Sequence, residues 1–94
     1  MSVGLLLLDC FVNQSRSLKD KRRIIKSMTE RLRRNFNIAI CEVEYQNQWQ
    51  RARLAIVLVN TRWSMAQRTI SRILEFFERD RRIELLNAET QKLY

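Results

Sequence analysis

The chain has no histidine, no proline, a single glycine (Gly4) and only two cysteines, Cys10 and Cys41. Each shortage removes possibilities. Without histidine the commonest general base is missing, no Ser-His or Cys-His couple can form, and the usual zinc and haem ligand sets are absent. The reading is of a non-enzymatic protein with no metal and no cofactor. The cysteines are not in a CxxC spacing and sit in apolar runs, which predicts reduced, buried thiols packing as small hydrophobes. With no proline and one glycine, no linker interrupts the 94 residues, and one domain spanning 1–94 is expected. No apolar run approaches the length of a membrane span. The opening "MSVGLLLLDCFV" lacks the basic start and the cleavage site of a signal peptide, so a cytoplasmic protein with no membrane role is expected.

What is present in excess is positive charge, and it is concentrated. Between Arg16 and Arg34 there are nine basic residues and two acids, so this stretch holds seven of the eight net positive charges. The remainder of the chain is almost neutral.

Hydrophobic periodicity divides the chain into six elements. "SVGLLLLDCFV" reads as a buried strand. Ser17, with Asp20 three residues on, forms a near capping box and starts a helix through "SLKDKRRIIKSMTERLRR". "NIAICEVEY" and "RARLAIVLVN" read as strands joined by the polar "QNQWQ". "SMAQRTISRILEFFERD" has helical spacing in Ala66, Ile70, Ile73 and Phe77, with Ser64 as its expected N-cap. "RIELLNAET" is a final, weaker strand. The order β-α-β-β-α-β is that of the ferredoxin-like split βαβ, an α+β fold. It predicts a four-stranded antiparallel sheet of order 4-1-3-2 with both helices on one face.

On a helical wheel Leu18, Ile24, Ile25, Met28, Leu32 and Phe36 form the apolar stripe of the first helix. Lys19, Arg23, Lys26, Arg33 and Arg34 gather opposite, with Arg22 at the margin. Lys19–Arg23 and Arg22–Lys26 are like-charge i,i+4 pairs, each costing about 0.2–0.5 kcal/mol. The second helix mixes signs, and Arg72–Glu75 and Glu75–Arg79 are spaced to pair. Two readings fit the unbalanced face: plain solubility, or a site for a polyanion whose phosphates the Arg forks grip. Lys21 falls inside the apolar stripe. It either snorkels past the sheet edge or reaches a carboxylate such as Asp9 or Glu42.

In the middle connection Trp49 stands among Gln46, Gln48 and Gln50 and precedes Arg51 and Arg53. It either folds back over the end of the core or stands free to stack on a base. The third strand has no RNP-type run, so an RNA-recognition motif is excluded. Strand parity puts Leu6, Leu8, Cys10 and Val12, with Leu54, Ile56 and Leu58, toward the helices. Leu5, Leu7, Asp9 and Phe11, with Arg53, Ala55, Val57 and Val59, then lie on the helix-free side. An apolar patch there predicts a homodimer through Leu5, Leu7, Phe11, Val57 and Val59, or a protein partner. The second strand does not alternate cleanly between Ile40 and Val43, which predicts a bulge.

Three segments, "SLKDKRR", "RNFNIAICEVE" and "YQNQWQRA", resemble the YlxP-like family of small uncharacterised bacterial domains. The resemblance runs from Val3 to the second helix. It implies a ferredoxin-like fold, a cytosolic bacterial protein and no established activity. Members are often encoded beside transcription-elongation, translation-initiation and ribosome-binding factors, which implies work on RNA or the ribosome. Lys19, Lys21 and Arg22, and Trp49, Gln50 and Arg51, are the positions that match its motifs. Asn47 stands where the family commonly has Asp, which counts against a metal ligand there.

The functional expectation is an RNA-binding or ribosome-associated accessory protein. Lys19, Arg22, Arg23, Lys26, Arg33 and Arg34 would hold phosphates, with Trp49 and Arg51 adding contacts, and ribosomal RNA is the ligand the resemblance implies. The alternative is a homodimeric protein-interaction module with no nucleic-acid role. Acylphosphatases share the topology, but "NQSRS" between the first strand and helix has Arg16 and no glycine, a poor phosphate cradle.

Overall fold

Strict alternation of burial along the first strand sets the architecture. In the computed structural model, which describes residues 1–94, β1 spans Ser2–Val12 and every even-numbered residue from Ser2 to Val12 is buried. It is followed by α1 (Leu18–Asn35), β2 (Ala39–Glu44), β3 (Arg51–Asn60), α2 (Trp63–Glu78) and β4 (Ile83–Lys92). The sheet order is β2-β3-β1-β4, with all three pairs antiparallel. Read from the other edge this is 4-1-3-2, the expected ferredoxin-like order.

The core lies on one side of the sheet. Leu6, Leu8, Cys10 and Val12 of β1 and Leu54, Ile56 and Leu58 of β3 meet Ile24, Ile25, Met28 and Leu32 of α1 and Ala66, Ile70, Ile73 and Phe77 of α2. Both helices therefore cover the same face. The one glycine has a packing role: a Cβ on Gly4 would stand 3.2 Å from the Trp63 ring, so the bare backbone lets that ring lie on the strand.

The start of α1 is capped as its sequence suggests. Ser17 Oγ accepts from the Asp20 N–H at 3.0 Å, and Asp20 reaches back to the Arg16 N–H at 3.1 Å. The start of α2 differs from the expectation. Arg62, not Ser64, occupies the N-cap and no side chain caps it, because the helix begins one residue before Ser64 at Trp63. The Arg72–Glu75 and Glu75–Arg79 pairs are also not among the ion pairs formed. Arg72 instead lies over the Phe36 ring, 5.8 Å from its centroid.

The two thiols part company. Cys10 is fully buried and its thiol is pushed up to about 12, first by burial and then by Asp9 and Glu42; a thiol so held is inert. Cys41, expected to be buried, is exposed. It pairs with Ala55 across β2 and β3, so it shares the helix-free face. The expected irregularity is real: the β2–β3 register shifts between Glu42 and Glu44, leaving Val43 bulged and exposed.

Lys21 is a fully buried side chain, among the largest in the molecule. Its Nζ donates to Glu42 Oε2 at 2.9 Å and to the carbonyls of Tyr45 (2.7 Å), Gln46 (3.3 Å) and Arg51 (3.2 Å). It reaches Glu42 and does not snorkel to water. Tyr45 has φ 67°, an uncommon conformation for a non-glycine residue, and its carbonyl also accepts from the Gln48 N–H at 3.0 Å. One ammonium thus ties the first turn of α1 to both ends of the β2–β3 connection.

A second ion-paired carboxylate closes the far end. Asp80, its side chain 6% exposed, accepts from Arg82 through Nε at 3.0 Å and Nη2 at 2.8 Å, and from Arg31 at 3.5 Å. Hydrogen bonding to Arg82 holds its carboxyl below the ordinary value of 3.8.

Two stability predictions follow from these groups. Lys21→Met takes the ammonium away from Glu42 and from three carbonyls, of which Tyr45 keeps its Gln48 donor, and should cost about 3 kcal/mol, whereas Lys26→Met on the solvent face should cost under about 0.5 kcal/mol. Urea denaturation measures both, and equal midpoints for the two variants would rule out the anchoring role. Asp80→Asn should cost about 1–3 kcal/mol at neutral pH. Because the folded-state value of Asp80 is depressed, its stabilisation is complete above about pH 5 and is lost as pH falls through that value. The gap between wild type and Asp80→Asn should therefore be flat above about pH 5 and close in acid. A gap of constant size down to about pH 2 is incompatible with this ion pair as its source.

Candidate nucleic-acid interface

The solvent side of α1 carries Lys19, Arg22, Arg23, Lys26, Arg33 and Arg34, all exposed. They differ in how free they are. Arg23 pairs with Asp20 at 3.1 Å, a largely solvated contact within the first turn. Arg33 donates to the Ile40 carbonyl at 3.2 Å and so covers part of the open edge of β2. None of the six ion pairs in the molecule involves Lys19, Arg22, Lys26 or Arg34. Of the two basic residues of α1 outside the expected set, Lys21 is buried and Arg31 turns away from the groove, toward Asp80 and over the Phe76 ring at 5.0 Å.

Between α1 and the edge strand β2 runs an open groove lined by Arg22, Lys26 and Arg33, with Thr29, Glu30 and Glu42. Glu42 is the carboxylate already held by Lys21, so its charge is balanced from inside the fold. Arg22 and Lys26, one turn apart, rise about 6 Å along the helix axis. Chemically this is a row of hydrated cations and Arg forks suited to an extended anion.

Trp49 and Arg51 do not join that groove. Trp49 stands 46% exposed and does not fold back over the core. With Phe11, Asn47, Gln48, Gln50 and Arg51 it lines a separate hollow at the hairpin end of the sheet. Arg51 stacks on Tyr45, its guanidinium carbon 4.7 Å from the ring centroid. Its Nε is closed off from water without an acceptor. The eight residues predicted as one interface therefore form two surfaces, joined at the first turn of α1 through Lys21. Phe11, predicted for the dimer patch, belongs to the second of them by position. Register explains this: it lies directly opposite Arg51.

The helix-free face holds the remaining predicted residues. Leu5 and Leu7 are half-buried, while Val57 and Val59 are 37% and 52% exposed. Cys41 and Ala55 extend the same apolar band toward β2. Beside it, Arg53 Nη1 contacts both Asp9 oxygens at 2.8 and 2.9 Å, and its Nη2 lies 3.9 Å from Glu89. Asp9 and Arg53 are direct cross-strand partners, so the pair also fixes the β1–β3 register.

The β1–α1 connection has three N–H groups turned inward. Asn13 donates to the Arg82 carbonyl, Ser15 to the Val12 carbonyl and Arg16 to Asp20, which leaves fewer donors for an anion. No helix is long and apolar enough to cross a membrane.

The family model described as "Protein of unknown function (DUF503)" matches residues 3–90. A curated relative, "Uncharacterized protein YlxP" of Bacillus subtilis (strain 168), is 29% identical over 89 residues, covering 95% of this chain and 97% of the relative. The likeness therefore extends over the basic helix, the hairpin and the sheet together, and the chain belongs to the DUF503, YlxP-like family.

Proposed function

We infer that this domain is a cytoplasmic, non-enzymatic RNA-binding accessory protein, with structured RNA such as that of the ribosome as its ligand class. The observation that carries the reading is the solvent face of α1, where Lys19, Arg22, Lys26 and Arg34 have no acidic partner. A helix bearing like charges at i,i+4 is destabilised on its own, and phosphates relieve that repulsion. The outer face of α2 offers the contrast, with Arg68, Arg72 and Arg79 interspersed with Glu75 and Glu78.

About five phosphate contacts on a single strand give a log–log salt slope near −3.5, so affinity should fall on the order of a hundredfold between about 50 and 200 mM salt. Arg22→Glu/Lys26→Glu/Arg34→Glu should abolish binding of a stem–loop RNA measured by fluorescence anisotropy. Arg62→Glu/Arg68→Glu/Arg81→Glu, with the same change in net charge, should bind nearly as wild type. Equal losses from the two triple variants would reduce the effect to net charge and remove α1 as the site.

A second reading rests on a different surface. The apolar band of Leu5, Leu7, Val57 and Val59 on the helix-free face supports a homodimer formed by that face. Analytical ultracentrifugation should then give a dimer at micromolar concentration, and Leu7→Lys/Val57→Lys should give a folded monomer. A monomeric wild type at that concentration disposes of the dimer without touching the α1 reading.

A further inference from the structure

We propose that the hollow at the β2–β3 hairpin is a stacking site for an unpaired nucleobase, and that the preferred ligand is accordingly single-stranded RNA and not duplex. The proposal rests on the reading of α1 as a phosphate-binding face and names the ligand class that face takes. Three features of the hollow point to a base.

First, Trp49 keeps nearly half its surface in water in the connection between β2 and β3. A large π-face held there offers every base the same stacking surface. Second, the platform is rigid. Lys21 Nζ holds the carbonyls of Tyr45, Gln46 and Arg51, so the backbone on both sides of Trp49 is fixed before any ligand arrives. Pre-organisation of this kind lowers the ordering cost of binding. Third, the polar groups around the ring are uncommitted. Gln50 donates to the Ser15 carbonyl at 3.4 Å, but Asn47 and Gln48 are exposed, and the Arg51 guanidinium rests on the Tyr45 ring without a carboxylate partner. Side-chain amides and a stacked guanidinium are the groups that meet base edges and the adjoining phosphate.

The choice of single strand follows from where the two surfaces lie. The groove of Arg22, Lys26 and Arg33 opens at the β2 edge, and the hollow includes Phe11, which points to the helix-free side of the sheet. A ligand occupying both must turn around the hairpin. A flexible single strand can follow that turn and present an unstacked base, whereas in a duplex the bases are paired and stacked away from an aromatic side chain.

The test compares a single-stranded oligoribonucleotide with its duplex by anisotropy at one fixed salt concentration, using wild type, Trp49→Ala and Trp49→Phe, with circular dichroism confirming the fold. Wild type should prefer the single strand. Trp49→Ala should weaken single-strand binding on the order of tenfold and leave duplex binding unchanged, and Trp49→Phe should retain most of the preference. In a Trp63→Phe background, single-strand RNA should quench the Trp49 fluorescence and duplex should not. Absence of any single-strand preference, or equal loss for both RNAs in Trp49→Ala, overturns the stacking site while leaving the α1 face standing. Failure of wild type to bind either RNA overturns both.

Discussion

The buried ammonium of Lys21 is the interaction on which the arrangement of the candidate interface depends. Removing a charge from water is costly, and a lysine placed in the apolar stripe of a helix is tolerated only when its hydrogens are all received. Here Glu42 and three backbone carbonyls receive them. Those acceptors come from β2, from the connection beyond it and from the start of β3. The helix cannot shift along the sheet without breaking them, so the basic stripe and the hairpin keep a fixed relation. The same contact neutralises the one carboxylate of β2 that faces the groove, and the groove stays positive despite it.

Charge elsewhere is sorted with the same effect. Asp9, Asp20, Glu42 and Asp80 are all in ion pairs, three of them with side chains 20% exposed or less. Among the cations left without ion-pair partners, Lys19, Arg22, Lys26, Arg33 and Arg34 lie together on the solvent side of α1. A net charge of +8 could have been a uniform coat. Instead seven of the eight net charges fall between Arg16 and Arg34, so the excess is concentrated on α1 and the turn before it.

The two faces of the sheet divide the remaining tasks. One is sealed by α1 and α2 around β1 and β3. The other is apolar along Leu5, Leu7, Ala55 and Val57 and is interrupted by the Asp9–Arg53 pair. That pair prevents the open face from being a featureless hydrophobic sheet and sets its strand register. The hollow of Phe11, Trp49 and Arg51 lies at the end of this face, so a copy of the chain covering the whole sheet and a base stacked on Trp49 would meet at Phe11.

Local patterning carried the fold. The even–odd alternation of β1 and β3, the 3.6-residue stripe of α1 and the Ser17–Asp20 cap are properties of neighbours in the chain, and they dictated six elements in an order with few antiparallel arrangements. They also identified which helix is basic, since the faces of a helix follow from spacing alone. The start of α2 escaped because Trp63 is held by packing beside Gly4 and not by a capping side chain. Cys41 escaped because its face depends on pairing with Ala55 next to a bulge. The partition of the predicted interface into groove and hollow, the commitment of Lys21 to Glu42 and the outward stance of Trp49 were likewise decided only in three dimensions. In each case the outcome turned on a partner distant in the chain, and sequence periodicity specifies the direction of a side chain from its own element, not what it meets there.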